Sequence, residues 1–228
     1  MAQNAGATAR ELVGEAVGTV LLLAGIIGSG ILAQELSGEL TGLALFMHAA
    51  SVGGLLVVLV LALGPVSGAH FNPAVTIAFW MDGKVSAAKA AAYIGVQVIA
   101  ALIGVAVAHL SFNLDPFIPG VQARTGTGVW IGEVVATFSL VFAIFMIVRV
   151  NVQSIAPAVG LIVMAAIMYT SSTCFANPAV TIARAFTDTF TSIRPIDVAP
   201  YVLVQLLTAI AAQQCATWLL ADQPDAES

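Results

Sequence analysis

The stretch Asn72-Pro73-Ala74-Val75-Thr76-Ile77-Ala78 recurs unchanged as Asn177-Pro178-Ala179-Val180-Thr181-Ile182-Ala183. Each copy reads as the opening of a helix. Asn is a favoured N-cap, and Pro at the first helical position gives up no intrahelical bond, because that N–H is unpaired anyway. From Asn72 to Trp80 such a helix is about 14 Å long, half of a ~30 Å hydrocarbon core. The second is expected to run slightly further, from Asn177 to about Thr189. The segments that hold them, 65–83 and 172–190, are too apolar for exposed loops and too short to cross a bilayer.

Other echoes surround the two copies in the same order. Gly14-Glu15-Ala16-Val17 is matched by Gly132-Glu133-Val134-Val135, and Tyr93 with Gln97 by Tyr201 with Gln205. Six apolar stretches, 11–34, 41–64, 86–110, 128–149, 155–171 and 197–220, are long enough to span a membrane. The chain therefore reads as one channel-like domain, 1–228. A first repeat covers about 11–110, a loop 111–127, a second repeat about 128–220, and a short acidic tail 221–228 is expected to be disordered. Three spans per repeat is an odd number, so the second repeat lies inverted in the membrane. Inverted repeats with interrupted helices build a solute path near the midplane. The expected fold is all-α and polytopic, with six transmembrane helices and two re-entrant half-helices in an inverted 3+3 arrangement.

Composition agrees with that reading. Of the 228 residues 60% are hydrophobic and 8% charged, and the mean hydropathy is +1.01. A water-exposed surface needs about a quarter charged residues, so an ordinary soluble domain and a disordered chain are excluded. Seven Lys and Arg against twelve Asp and Glu leave a net charge of −5 and no basic patch for nucleic acid. The two cysteines, Cys174 and Cys215, are too few for a disulfide framework. With the amino terminus inside, Arg10, Lys84, Lys89 and Arg149 fall on the inner side, against Arg124 and Arg194 outside. That balance favours a cytoplasmic amino terminus, and an even number of spans then returns the carboxyl terminus to the same side of the cell membrane.

The chemistry lies in the two asparagines. The Asn carbonyl accepts from the helix N–H groups, and its NH2 is left to donate into a cavity. Two such donors at the positive ends of two helix dipoles orient the oxygen of a neutral solute and repel cations. The sequence offers no nucleophile in a catalytic setting, no phosphate loop and no metal cluster. His48 and His109 have no Cys or acidic partner at ligand spacing.

Ser67-Gly68-Ala69-His70-Phe71-Asn72-Pro73-Ala74-Val75, the second Asn-Pro-Ala and the six-span repeat resemble the aquaporin/aquaglyceroporin (major intrinsic protein) family over essentially residues 11–220. The resemblance is to bacterial members that lack the usual filter arginine. It implies a homotetramer in the lipid bilayer with one pore per subunit. It also implies facilitated diffusion without a cofactor, and a protein that is not an enzyme. In the family the narrowest point includes an Arg three residues after the second pore Asn, and here that position is Val180. Family spacing puts further filter positions at Val52 and Cys174. The fourth is Ala165 counted from the motif, or Ile167 counted from Gly160. On either count the ring is small and apolar, which suits small uncharged solutes such as glycerol and other polyols, with some water; the resemblance to bacterial members without the filter arginine implies neutral metalloid hydroxides or organoarsenicals as further solutes.

Four other residues have two readings each. Arg184 follows Val180 by one turn, so it either restores the missing charge or anchors loop carbonyls and pairs with Asp188. With Arg184 closing the filter the chain becomes a strict water channel. Glu15 and Glu133 support the re-entrant loops, or serve as the titratable groups of a coupled secondary transporter. His70 is either a packed loop residue or a gate. Gly53, Gly54, Gly104 and Gly160 are expected at close helix contacts.

Overall fold

The computed structural model describes residues 6–221, so the expected disorder of the tail at 222–228 lies outside the described residues. Helices α1 (Ala9–Ser37), α2 (Thr41–Ser67), α4 (Ala87–Ser111), α5 (Thr127–Val150), α6 (Ile155–Tyr169, entered through a 3-10 turn at Val152–Ser154) and α8 (Pro195–Leu219) are the long ones. With the 3-10 turn counted into α6, all six are long and apolar enough to cross a membrane, and six crossings return the chain to the face on which α1 begins. Below, that face is the proximal face and the opposite one the distal face. Half-helices α3 (Pro73–Met81) and α7 (Pro178–Ala183) complete the fold. In the first repeat α1 packs on α2 and α4; in the second α5 packs on α6 and α8, and α2 against α6 joins the repeats. The chain is a multi-pass membrane protein.

Helix starts follow local chemistry. Thr8 and Glu11 form a capping box on α1, Ser86 caps α4, and Pro195 opens α8. Two ends differ from the sequence reading. Pro65 sits inside the last turn of α2, which runs on to Ser67 and stops at Gly68 in the left-handed region (φ 86°). A proline that late removes one backbone bond and leaves the helix intact. The second half-helix is shorter than expected: α7 passes at Arg184–Phe186 into a 3-10 turn, and Thr187 is extended. Its final carbonyls are taken from outside, since Ile118 N donates to Phe186 O and Gly120 N to Ala185 O. A Cβ on Gly120 would lie 2.3 Å from the carbonyl oxygen of Ile193, so only glycine permits this approach.

Two buried carboxylates hold the re-entrant loops. Glu15, on α1 and fully buried, accepts from His70 N (2.9 Å), Phe71 N (2.7 Å), Ser67 Oγ (2.7 Å) and Gln97 Nε2 (2.8 Å). Glu133, on α5, accepts from Phe175 N and Ala176 N (both 2.9 Å) and from Gln205 Nε2 (2.6 Å). Each Gln also reaches the Thr four residues after the pore Asn, Gln97 to Thr76 and Gln205 to Thr181. The sequence echoes thus converge on one cluster per repeat. The loops need such support, because Ala69, Phe71, Thr173, Cys174 and Ala176 all have φ between 45° and 58°. Left-handed backbone is unfavourable for these residue types and persists only where the surroundings fix it.

Close helix contact accounts for three of the four glycines. A Cβ on Gly160 would lie 2.4 Å from Gly53 O, one on Gly53 2.8 Å from Gly160 O, and one on Gly104 2.6 Å from Val20 O. Gly54 does not share this role: it is exposed, with nothing within 4 Å. Gly160→Ala is therefore expected to destabilise by about 1–3 kcal/mol through overpacking of α2 on α6. Gly54→Ala should be neutral or slightly stabilising in the same thermal unfolding series in detergent. Glu15→Ala strips the acceptor from two loop N–H groups, at about 1–3 kcal/mol for each group left unpaired. Its unfolding midpoint should fall well below that of Glu15→Gln, which keeps one acceptor oxygen.

Candidate pore site

The two re-entrant loops meet tip to tip, and each asparagine holds the other loop. Asn72 Oδ1 accepts from Ala74 N (2.8 Å), and its Nδ2 donates across to Ala176 O (2.8 Å). Asn177 Oδ1 accepts from Ala179 N (3.0 Å) and Val180 N (3.3 Å), and its Nδ2 donates across to Phe71 O (2.8 Å). The expectation of fully free NH2 groups is corrected here. One N–H of each amide is spent on the opposite loop, and the second is left for the cavity that both asparagines line. Pro73 and Pro178 sit at the first helical position, and Ala74 and Ala179 are fully buried behind them.

A cavity of about 320 Å³ runs past this meeting point. One wall is backbone-rich, made by 68–71 and 173–176. The other is aliphatic: Leu22 and Ile26 from α1, Leu56 and Val60 from α2, Leu140 and Ile144 from α5, and Val159 and Val163 from α6. A narrow polar strip facing apolar walls replaces part of a solute's hydration and leaves little else for it to bind. Val52, Ile167, Cys174 and Val180 all line this cavity. Ala165 does not. It is exposed on the outer side of α6, because two residues along a helix from Ile167 lies nearly on the opposite face. The count from Gly160 is the one that follows the wall.

His70 lines the cavity as a packed residue: Nδ1 lies 3.1 Å from Thr76 Oγ1, its N–H is held by Glu15, and the ring stacks on Phe79 at 4.8 Å. Arg184 is buried, 3% exposed, and borders the cavity. Its Nε donates to the Thr191 carbonyl, and its guanidinium lies over the Phe175 ring, 3.4 Å from the centroid. It makes no ion pair with Asp188. Arg124, in the loop before α5, lies near the same ring (4.7 Å) and donates to Ser192 O (2.7 Å), Ser172 O (3.2 Å) and Thr173 Oγ1 (3.3 Å). Burial draws the Arg124 pKa below its ordinary value, while Tyr201 and Glu133 act in the opposite sense. An arginine so held stays charged at any physiological pH.

A second, more polar chamber of about 510 Å³ opens on the distal side, where Gln34, Gln122, Arg124, Asp188 and Thr189 are among its walls. Sequence reasoning weighed His48 only as a metal ligand and passed over Thr173, yet both border the two spaces. The available signal was spacing, since His48 stands four residues from Val52 on one helix face.

Residues 2–154 match the family model described as Major intrinsic protein. The chain is 46% identical over 211 residues to Aquaglyceroporin AqpS of Rhizobium meliloti (strain 1021), covering 92% of this chain and 90% of that one. It is 35% identical over 138 residues to Nodulin-26 of Glycine max, covering 59% of this chain and 49% of that one. The aquaglyceroporin from Plasmodium falciparum shares the fold, with a TM-score of 0.68 over 90% of this chain and 93% of that chain at 20% identity. The family match and the full-length relationship to an aquaglyceroporin place this chain in the major intrinsic protein family.

Proposed function

We propose that the protein is a passive channel for small uncharged solutes, namely glycerol and related polyols, neutral metalloid hydroxides or organoarsenicals, together with water. The observation that carries this reading is the cavity running past two helix N-termini, with one polar backbone wall and one aliphatic wall. The positive helix ends and the spare amide N–H groups receive a solute oxygen, while the same dipoles oppose cations. Val52, Ile167, Cys174 and Val180 form an apolar ring that is wider than one holding an arginine at the Val180 position. The name of the full-length relative, an aquaglyceroporin, supports a pore wider than water alone needs.

In this reading the protein is a homotetramer in a bacterial inner membrane, with both termini cytoplasmic. Arg10, Lys84, Lys89 and Arg149 then face the cytoplasm. Coupled transport is disfavoured by the roles of Glu15 and Glu133, whose oxygens are filled by loop N–H groups and glutamine amides.

Stopped-flow light scattering on proteoliposomes tests the function. Fast shrinkage in sucrose and fast re-swelling in glycerol are expected. Vesicles no faster than empty ones in both would end the channel reading. Val180→Arg should lower glycerol permeability relative to water by about tenfold, as a ring group that adds bulk and charge discriminates by size and bonding. An unchanged ratio would remove the apolar ring from the filter.

A further inference from the structure

Three residues border both the central cavity and the distal chamber: His48, Thr173 and Arg184. They stand at the partition between the two spaces. Two of them are displaced by one helical turn from the apolar ring, towards the distal face. His48 precedes Val52 by four on α2, and Arg184 follows Val180 by four beyond α7. Thr173 precedes Cys174 in the loop. On three elements the apolar ring is therefore backed by a polar neighbour on its distal side.

Their hydrogen bonds leave polar atoms over. His48 Nδ1 is 2.9 Å from Ser29 Oγ, so the ring is fixed through that nitrogen and Nε2 has no bond among the described residues. Arg184 uses Nε on Thr191, and its two terminal nitrogens likewise have no partner among the described residues. The guanidinium carbon lies 3.4 Å from the centroid of the Phe175 ring, a cation–π contact that restrains it. Thr173 is held by Arg124 Nη1. A buried guanidinium with idle N–H groups is costly unless something in the cavity accepts from them.

The internal repeat supplies an independent comparison. Matching Asn72 with Asn177 pairs Arg184 with Phe79 and Thr173 with Gly68; matching Gly53 with Gly160 pairs His48 with Ile155. All three counterparts also line the cavity, at its proximal end. The scaffold thus offers the same three positions at both mouths. One mouth fills them with Phe79, Ile155 and Gly68, the other with a guanidinium, an imidazole and a hydroxyl. The polar trio does not follow from the fold, since the fold is equally met without it.

We propose that His48, Thr173 and Arg184 form a second selectivity ring, one turn distal to the apolar one. There, neutral solutes carrying several hydroxyl groups exchange their water for the guanidinium N–H groups, the free imidazole nitrogen and the threonine hydroxyl, and cations are turned back. This rests on the channel reading. It divides the work between two rings, the distal one testing for hydroxyl oxygens and charge and the Val52–Val180 ring testing for size. Polyols and other neutral poly-hydroxides are the class it fits.

The test compares water and glycerol permeability of Arg184→Leu, Arg184→Lys and His48→Ala with wild type in proteoliposomes. Arg184→Leu should raise water permeability and lower the glycerol-to-water ratio by about tenfold, the worth of one charge-assisted hydrogen bond. Arg184→Lys should recover part of the ratio, and His48→Ala should lower it by about threefold. Because Arg184 also anchors Thr191, its Leu variant is checked for a monodisperse elution profile. If that variant does not fold, His48→Ala decides alone. Wild-type ratios in every folded variant would overturn the ring while leaving the channel intact. A wild-type protein that conducts neither solute would instead overturn the channel reading itself.

Discussion

The structure depends on the backbone N–H groups of two loops that end in the middle of an apolar slab. No water in lipid can satisfy them, and each left unpaired costs kilocalories. The answer in each repeat is one carboxylate, Glu15 or Glu133, carried on a neighbouring helix and buried completely. A carboxylate accepts from several directions at once, so it closes two backbone donors and still takes a glutamine amide. Without it the left-handed loop residues have no reason to stay where they are. The half-helices would then lose their fixed start, and the cavity its polar wall.

This explains why so much of the fold is legible from sequence. A six-span inverted repeat follows from apolar length and an odd count. The Glu and Gln echoes mark the supports of the loops, because a buried polar group in a membrane has few uses beyond holding another. What was not legible came from tertiary contacts. The end of the second half-helix is set by the N–H groups of Ile118 and Gly120, which lie some seventy residues earlier in the chain. Ile167 faces the cavity, and Ala165, two residues earlier on α6, is turned to the outside, a choice that two competing counts along the sequence left open. The asparagine amides look free in sequence; only the apposition of two loops shows that half of each is already committed.

Charge follows the same logic of local satisfaction. Arg124 spends its donors on loop carbonyls and on Thr173, so it acts as a brace. Arg184 spends one, and the rest of its guanidinium meets the cavity. The two arginines thus differ in the number of N–H groups left over, which no motif records. That difference explains why Val180, read alone, makes the pore look uncharged.

The crossed asparagine bonds have a consequence for the architecture as a whole. Asn72 needs a carbonyl from the other loop, and Asn177 needs one from the first. A three-helix unit by itself leaves an amide and a carbonyl without partners at its most buried point. Two identical units, related by a two-fold axis in the membrane plane, would pair them all but would be obliged to have identical entrances. Joining the units in one chain keeps the mutual grip and removes the obligation. After seven shared residues the copies part at Phe79 and Arg184, so a symmetric scaffold acquires a direction.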